Sequence, residues 1–172
     1  MKALHISLVT VAALLVGSVG GCNKPEPAKP AVDTGKIADA VKADWNQLVA
    51  DLNAHDADRA VAHDGPDVVN MFHGQPNLVG PAADLASTKQ LFATNPKITV
   101  ANVTVDVPAS GDMAVVRSTY TYEFTDPKTK KAVTEAGNWV AGYKPQPDGS
   151  WKLAWTIGAD APAPAAPAAA KS

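Results

Sequence analysis

A single cysteine in 172 residues excludes an internal disulfide, so the fold has to rest on apolar packing, and 46% hydrophobic residues are enough for one domain with a core. Fifteen Lys and Arg face 17 Asp and Glu, a formal net charge of −2, and no basic stripe runs along the chain, which argues against nucleic acid as a partner. In chain order, Met1-Lys2 supplies a positive charge, Ile6 to Val16 an apolar run, and Ser18 to Cys22 a small-residue stretch ending in the lone cysteine. That pattern predicts a secretory signal peptide over residues 1–21 rather than a membrane span, because a span needs roughly 20 apolar residues.

Val19-Gly20-Gly21-Cys22 resembles the bacterial lipobox, with Val19 in place of the usual leucine. The resemblance implies that Cys22 becomes the lipid-modified first residue of the mature chain, its acyl chains holding the protein to a membrane. It also implies a place in the cell envelope facing the periplasm, and Asn23 after the cysteine leans toward the outer membrane over the inner. Residues 22–32 are Pro-rich and charged and predict an extended tether of about 3 Å per residue. Residues 161–172 are an Ala-Pro repeat with too little apolar bulk to fold. The compact domain is therefore expected over residues 33–160.

Within it, Asp33 or Thr34 can cap a first helix, along which Ile37, Val41, Trp45, Leu48, Val49 and Leu52 recur at helical spacing. Lys36, Lys42, Asn46 and Asp51 fall largely off that stripe. Asn53 to Asp56 ends it, and Asp56 can cap a short second helix, Ala57 to Ala62. Asp64-Gly65-Pro66 is turn chemistry, Asp67 to His73 reads as a strand, and Gly74 to Gly80 as a second turn before a helix from Pro81 to about Thr94. Four strands follow: Lys97–Val107 with a bulge near Ala101-Asn102, Met113–Phe124, Lys131–Lys144, and a last strand in which Trp151, Leu153, Trp155 and Ile157 alternate. Helices grouped before a meander predict an α+β fold, a bent antiparallel sheet wrapped around the first helix as a cone with an open mouth.

The element order, Trp45 on the first helix, Leu48 through Asp56, Asp64-Gly65-Pro66-Asp67-Val68-Val69, Gly74, Gly80-Pro81, and the last hairpin Tyr143-Lys144-Pro145 with Asp148-Gly149-Ser150-Trp151-Lys152-Leu153 resemble the nuclear transport factor 2-like superfamily. Within it the chain is similar to SnoaL-like and ketosteroid-isomerase-like proteins. The resemblance covers nearly all of the domain. It implies a cystatin-like cone, a pocket between the first helix, the third helix and the concave sheet face, and homodimers through the sheet.

The isomerases of that superfamily place a general-base carboxylate near the end of the first strand and a tyrosine hydroxyl on the first helix. Here those positions read Asn70-Met71-Phe72-His73 and Trp45. The expectation is therefore a lipid-anchored module that binds a small apolar ligand or a partner without catalysis. The alternatives are an isomerase or lyase acting on a small apolar carbonyl compound through His73 and a tyrosine, or a passive dimeric scaffold. Expected pocket residues are Trp45, Met71, His73, Tyr120, Tyr122, Trp139 and Trp155, each weighed against plain core filling or, for His73, a rim position. Arg117 is expected to pair with Glu123 or Glu135 across strands. His55, Asp56, Asp58, His63 and Asp64 fall within ten residues, but they lack the spacing that puts two imidazoles on adjacent helical turns, so no metal and no cofactor is expected.

Overall fold

Asp33 caps the first helix: its carboxylate accepts the backbone N–H of Lys36 at 3.0 Å, and α1 runs Thr34–Asn53. The structure is a computed structural model that describes residues 31–161. The leader, Cys22, nearly all of the tether and the tail from residue 162 lie outside the described residues. The apolar stripe of α1 is buried from Val41 to Leu52, with Ile37 packed at its edge. Asn53 ties the helix end to the sheet, its side chain exchanging two 2.8 Å hydrogen bonds with the backbone N–H and carbonyl of Ile98, as a neighbouring strand would.

Asp56 caps α2, Ala57–Val61. β1 spans Asp64–Phe72, three residues earlier than the turn chemistry predicts. The last strand holds it there: the Leu153 N–H donates to the His63 carbonyl at 2.9 Å, and a Cβ on Gly65 would lie 2.8 Å from the Leu153 oxygen. β2, Leu78–Val79, folds back on β1 inside the stretch expected as turn. Gly80, at φ +81°, then turns the chain into α3, Pro81–Phe92, with Pro81 at its first position. The remaining strands are β3 Lys97–Asp106, β4 Ala114–Thr125, β5 Ala132–Pro145 and β6 Trp151–Asp160.

The six strands form one sheet in the order β2-β1-β6-β5-β4-β3. β3 to β6 are the expected antiparallel meander, but β1 lies parallel to β6, so the sheet is mixed. No hairpin joins these two strands, the first and last among the described residues, so no tight turn imposes their direction.

Three register shifts mark the sheet, one of them in β1 against β6, between Asp64 and Val69. The register of β3 against β4 shifts between Ala101 and Thr104, with Asn102 at φ 54°, where the bulge is expected. A further shift was not expected: Tyr143 pairs with Leu153 and Gly142 with Trp155, leaving Ala154 as an extra residue in β6. One inserted residue exchanges the two faces of everything beyond it. Leu153 and Thr156 are buried, Ile157 is 41% exposed, and the single-face alternation expected for Trp151, Leu153, Trp155 and Ile157 breaks at Ala154.

The core lies between α1 and the inner sheet face. Trp45 is fully buried, its ring edge-on to Trp139 with centroids 4.4 Å apart. Val68, Val116, Ala141, Tyr143 and Leu153 complete the layer. Truncating such a tryptophan to alanine costs about 3–5 kcal/mol.

Candidate functional site

A cavity of about 440 Å³ opens between α1, α3 and the inner face of the sheet. Two periodicities deliver its polar wall. Alternation along the end of β1 brings Asn70 and Phe72 to one side, with Asp64 ahead of the register shift at the start of the strand, and helical spacing on α3 brings Asp84, Ser87, Thr88 and Leu91 to another. β4 adds Tyr120 and Tyr122, β5 Trp139 and Glu135, and β6 Thr156, Gly158 and Asp160.

The chemical feature of this wall is a carboxyl pair. Asp64 and Asp84 line the same wall and act on each other's ionisation. Oδ2 of Asp64 is buried and has no hydrogen-bond donor among the described residues. Burial pushes the Asp64 carboxyl up, and the charge of Asp84 and their mutual hydrogen bond push it further, to about 8, against the opposing pull of His63 and Lys152. Burial also raises Asp84, partly offset by the Asn70 amide and by Asp64. Thr156 Oγ1 donates to Asn70 Oδ1 at 3.0 Å and so occupies the amide oxygen, leaving the amide nitrogen as the donor for Asp84. Asp84 also stands in the first turn of α3, where the helix dipole favours a negative charge. Of the two, Asp84 has the hydrogen bonds that favour its charge, from Asn70 and Asp64, whereas Asp64 has the charge of Asp84 against it.

Behind the pair is a second, separate network. His63 lies between two carboxylates, Nδ1 at 2.8 Å from Asp44 and Nε2 at 3.1 Å from Asp51. Asp51 further accepts from Gln47 at 2.9 Å and pairs with Arg59 at 2.8 Å. Burial disfavours the imidazolium, but the bonds and charges of Asp44 and Asp51 outweigh it and hold the His63 pKa above its ordinary value. Burial likewise opposes the charge on Asp51, and the bonds from His63 and Gln47 with the Arg59 charge overcome it and lower its pKa. Asp51, expected off the apolar stripe, is thus buried because it serves His63.

At the mouth, Tyr120 donates to Asp160 Oδ1 at 2.9 Å, and His73 Nδ1 lies 3.3 Å from Asp160 Oδ2. Burial raises the Tyr120 phenol, and the bond to Asp160 and the charges of Asp160 and Glu135 raise it further. The His73 side chain is 79% exposed.

Of the residues expected in a pocket, His73, Tyr120, Tyr122 and Trp139 line this cavity. Trp45 does not; it is buried beneath Trp139 as core. Met71 falls on the opposite parity of β1 from Asn70 and Phe72, in register with Ile157. Trp155 is turned to that same outer face by the extra residue Ala154 and covers Gly142. Arg117 pairs with Asp106 on β3, at 2.6 Å, instead of Glu123 or Glu135. The His and Asp run from His55 to Asp64 disperses: Asp56 caps α2, His55 Nε2 lies 3.0 Å from the Pro96 carbonyl, His63 joins Asp44 and Asp51, and Asp64 enters the cavity.

The end of β1, Asn70 to His73, carries no carboxylate; the carboxyl groups of this wall come instead from the start of β1 and from α3. The β1 alternation through Val68 and Asn70 breaks at Pro66 and Asp67, both exposed, so it does not reach back to Asp64. Asp84 had no apolar signal to mark its face.

The fold is shared with solved structures at low identity. A ketosteroid isomerase-like protein from Erwinia carotovora atroseptica superposes with a TM-score of 0.63 at 22% identity, covering 73% of this chain and 97% of that one. An NTF2-like protein with a cystatin-like fold from Novosphingobium aromaticivorans gives 0.61 at 16% identity, over 74% and 83%. A hexachlorocyclohexane dehydrochlorinase from Novosphingobium barchaimii gives 0.66 at 14% identity, over 75% and 90%. No curated protein matches the sequence significantly. The model of the SnoaL-like domain matches residues 45–145, from the buried tryptophan of α1 to the end of β5, and the chain belongs to that family.

Proposed function

We propose that the cavity binds a small, largely apolar molecule through a polar group held at Asp64, Asp84 and Asn70. The observation that carries this reading is a 440 Å³ space walled by aromatic and aliphatic side chains with a few convergent polar groups. We place the domain on a membrane surface through acylated Cys22, in the cell envelope, on the strength of the residues around that cysteine. The outer sheet face, where Met71, Trp155 and Ile157 lie, is assigned to contact with a second copy. Native mass spectrometry of the protein from its own host tests the main claim: wild type should retain an added small-molecule mass that Ser87→Phe, which fills the cavity, loses. Equal spectra for the two would overturn it. A monomeric mass would remove the second copy, and absence of acyl mass at Cys22 would remove the anchor.

The carboxyl pair favours a second reading, the isomerase or lyase. The ionised Asp84 would take a proton from the carbon next to a carbonyl while protonated Asp64 donates a hydrogen bond to the developing enolate oxygen; Asp84 then returns the proton to another carbon. This replaces His73 as the base with a group shielded from water. Two of the structural neighbours are named as an isomerase-like protein and a dehydrochlorinase. Deuterium exchange into a cyclic β,γ-enone in D₂O, lost in Asp84→Asn, would support it. Exchange at the uncatalysed rate in wild type would end it.

A further inference from the structure

The cavity has an unbalanced charge. Among the described residues four carboxyl groups line it, from Asp64, Asp84, Glu135 and Asp160, and no lysine or arginine does. The one basic lining group among the described residues, His73, stands at the mouth against Asp160 and is mostly in water. The cations nearest Asp64 are engaged elsewhere. His63 is held by Asp44 and Asp51, and the Lys152 ammonium donates to the Ala62 carbonyl.

The same wall carries four aromatic rings, Phe72, Tyr120, Tyr122 and Trp139. Trp139 is nine-tenths buried, and its indole N–H has no partner among the described residues. A π-face attracts a cation, and it does so more strongly where water is excluded. The carboxyls are also spread around the space: among the described residues no three His, Cys, Asp or Glu side chains converge to hold a metal ion. A diffuse negative field with aromatic walls fits a large, weakly hydrated cation better than a small hard one.

We propose that the cavity selects an organic cation, a quaternary or protonated amine on an apolar body, with the ammonium among the aromatic rings and the carboxyl groups. The proposal rests on the reading of the cavity as a small-molecule site and narrows its ligand class. It has a built-in consequence. A bound cation favours the ionised form of the carboxyl pair, so binding expels a proton from it, and affinity rises with pH until the pair has lost that proton.

The test uses three probes of similar size on the folded chain: benzyltrimethylammonium, benzyl alcohol and phenylacetate, titrated by NMR at pH 6.5 and pH 9. The expected result is saturable shifts of the Tyr120 and Trp139 signals by the cation, at least about tenfold tighter than by the alcohol at pH 9, with phenylacetate weakest. The cation should bind several-fold more tightly at pH 9 than at pH 6.5. Asp64→Asn should abolish that pH dependence, which separates Asp64 from His63 and His73, and Glu135→Gln, at an exposed site, should weaken the cation alone. Alcohol or phenylacetate binding as tightly as the cation would overturn the proposal and leave the small-molecule site standing. No binding by any probe would overturn both.

Discussion

Asp64 at the start of β1 and Asp84 in the first turn of α3 line the same cavity, where the charge of Asp84 raises the Asp64 carboxyl and the buried Oδ2 of Asp64 has no hydrogen-bond partner among the described residues. The relationship joins two parts of the fold that have nothing local in common. β1 is held at Asp64 by β6, and α3 is set by the turn at Gly80. The cavity's electrostatics therefore depend on the parallel β1–β6 pairing.

The pair should be visible in stability against pH. The folded pKa of Asp64, about 8, lies above the unfolded value near 4, so its contribution is full below about pH 4 and is lost as pH rises through 8. Asp64→Asn keeps the shape and removes the titration. Thermal melts should show a shallower decline from pH 5 to pH 9 than wild type, with the variant more stable at pH 9 by about 1–3 kcal/mol, a few degrees in Tm. Parallel curves for the two proteins would refute the raised Asp64 pKa.

His63 loses its contribution in the same direction. Its pKa is raised, so the stabilisation of its two ion pairs is complete below about pH 6.5 and fades as pH passes its folded value. His63→Leu leaves Asp44 and the buried Asp51 without their shared cation. Removing one member of a buried charge network costs about 3–5 kcal/mol, and denaturant midpoints at pH 6 should record that loss. Asp51→Asn should lower the His63 pKa in an NMR titration.

Asn53 predicts a smaller effect with a clear location. Its two hydrogen bonds to Ile98 are the link between the end of α1 and β3. Asn53→Ala should cost about 1–3 kcal/mol. Amide hydrogen exchange should quicken at Ile98 and leave the β5–β6 pairing unchanged.

What the sequence carried was what periodicity can carry. The stripe from Val41 to Leu52, the cap at Asp33, the turn at Gly80-Pro81 and the bulge at Asn102 were all legible, because each is a local rule. The cavity's aromatic wall followed in part: Tyr120, Tyr122 and Trp139 lie on strands whose alternation is unbroken through those positions. Trp155 did not follow, because one unpaired residue, Ala154, is invisible to an alternating pattern of apolar side chains on both faces. Asp64 was hidden by turn-forming neighbours that β6 overrides, and Asp84 by polar companions such as Ser87. Both are long-range effects, and a local pattern contains no term for them.

The last prediction tests that hidden bulge. In register, Gly142 lies opposite Trp155, and a Cβ there would fall 2.2 Å from the indole ring. The backbone of Gly142 does not need glycine; the space above it does. Gly142→Ala must therefore push Trp155 off the sheet, costing about 1–3 kcal/mol by overpacking and shifting its fluorescence as the ring meets water. Trp155→Ala removes the obstacle, so Gly142→Ala added to it should cost far less than in wild type, and the double-mutant cycle should show coupling of about 1 kcal/mol or more. If the two costs simply added, Trp155 would lie on the inner face after all, Ala154 would not be an extra residue, and the inward parity that places Thr156 and Asp160 in the cavity would be lost with it.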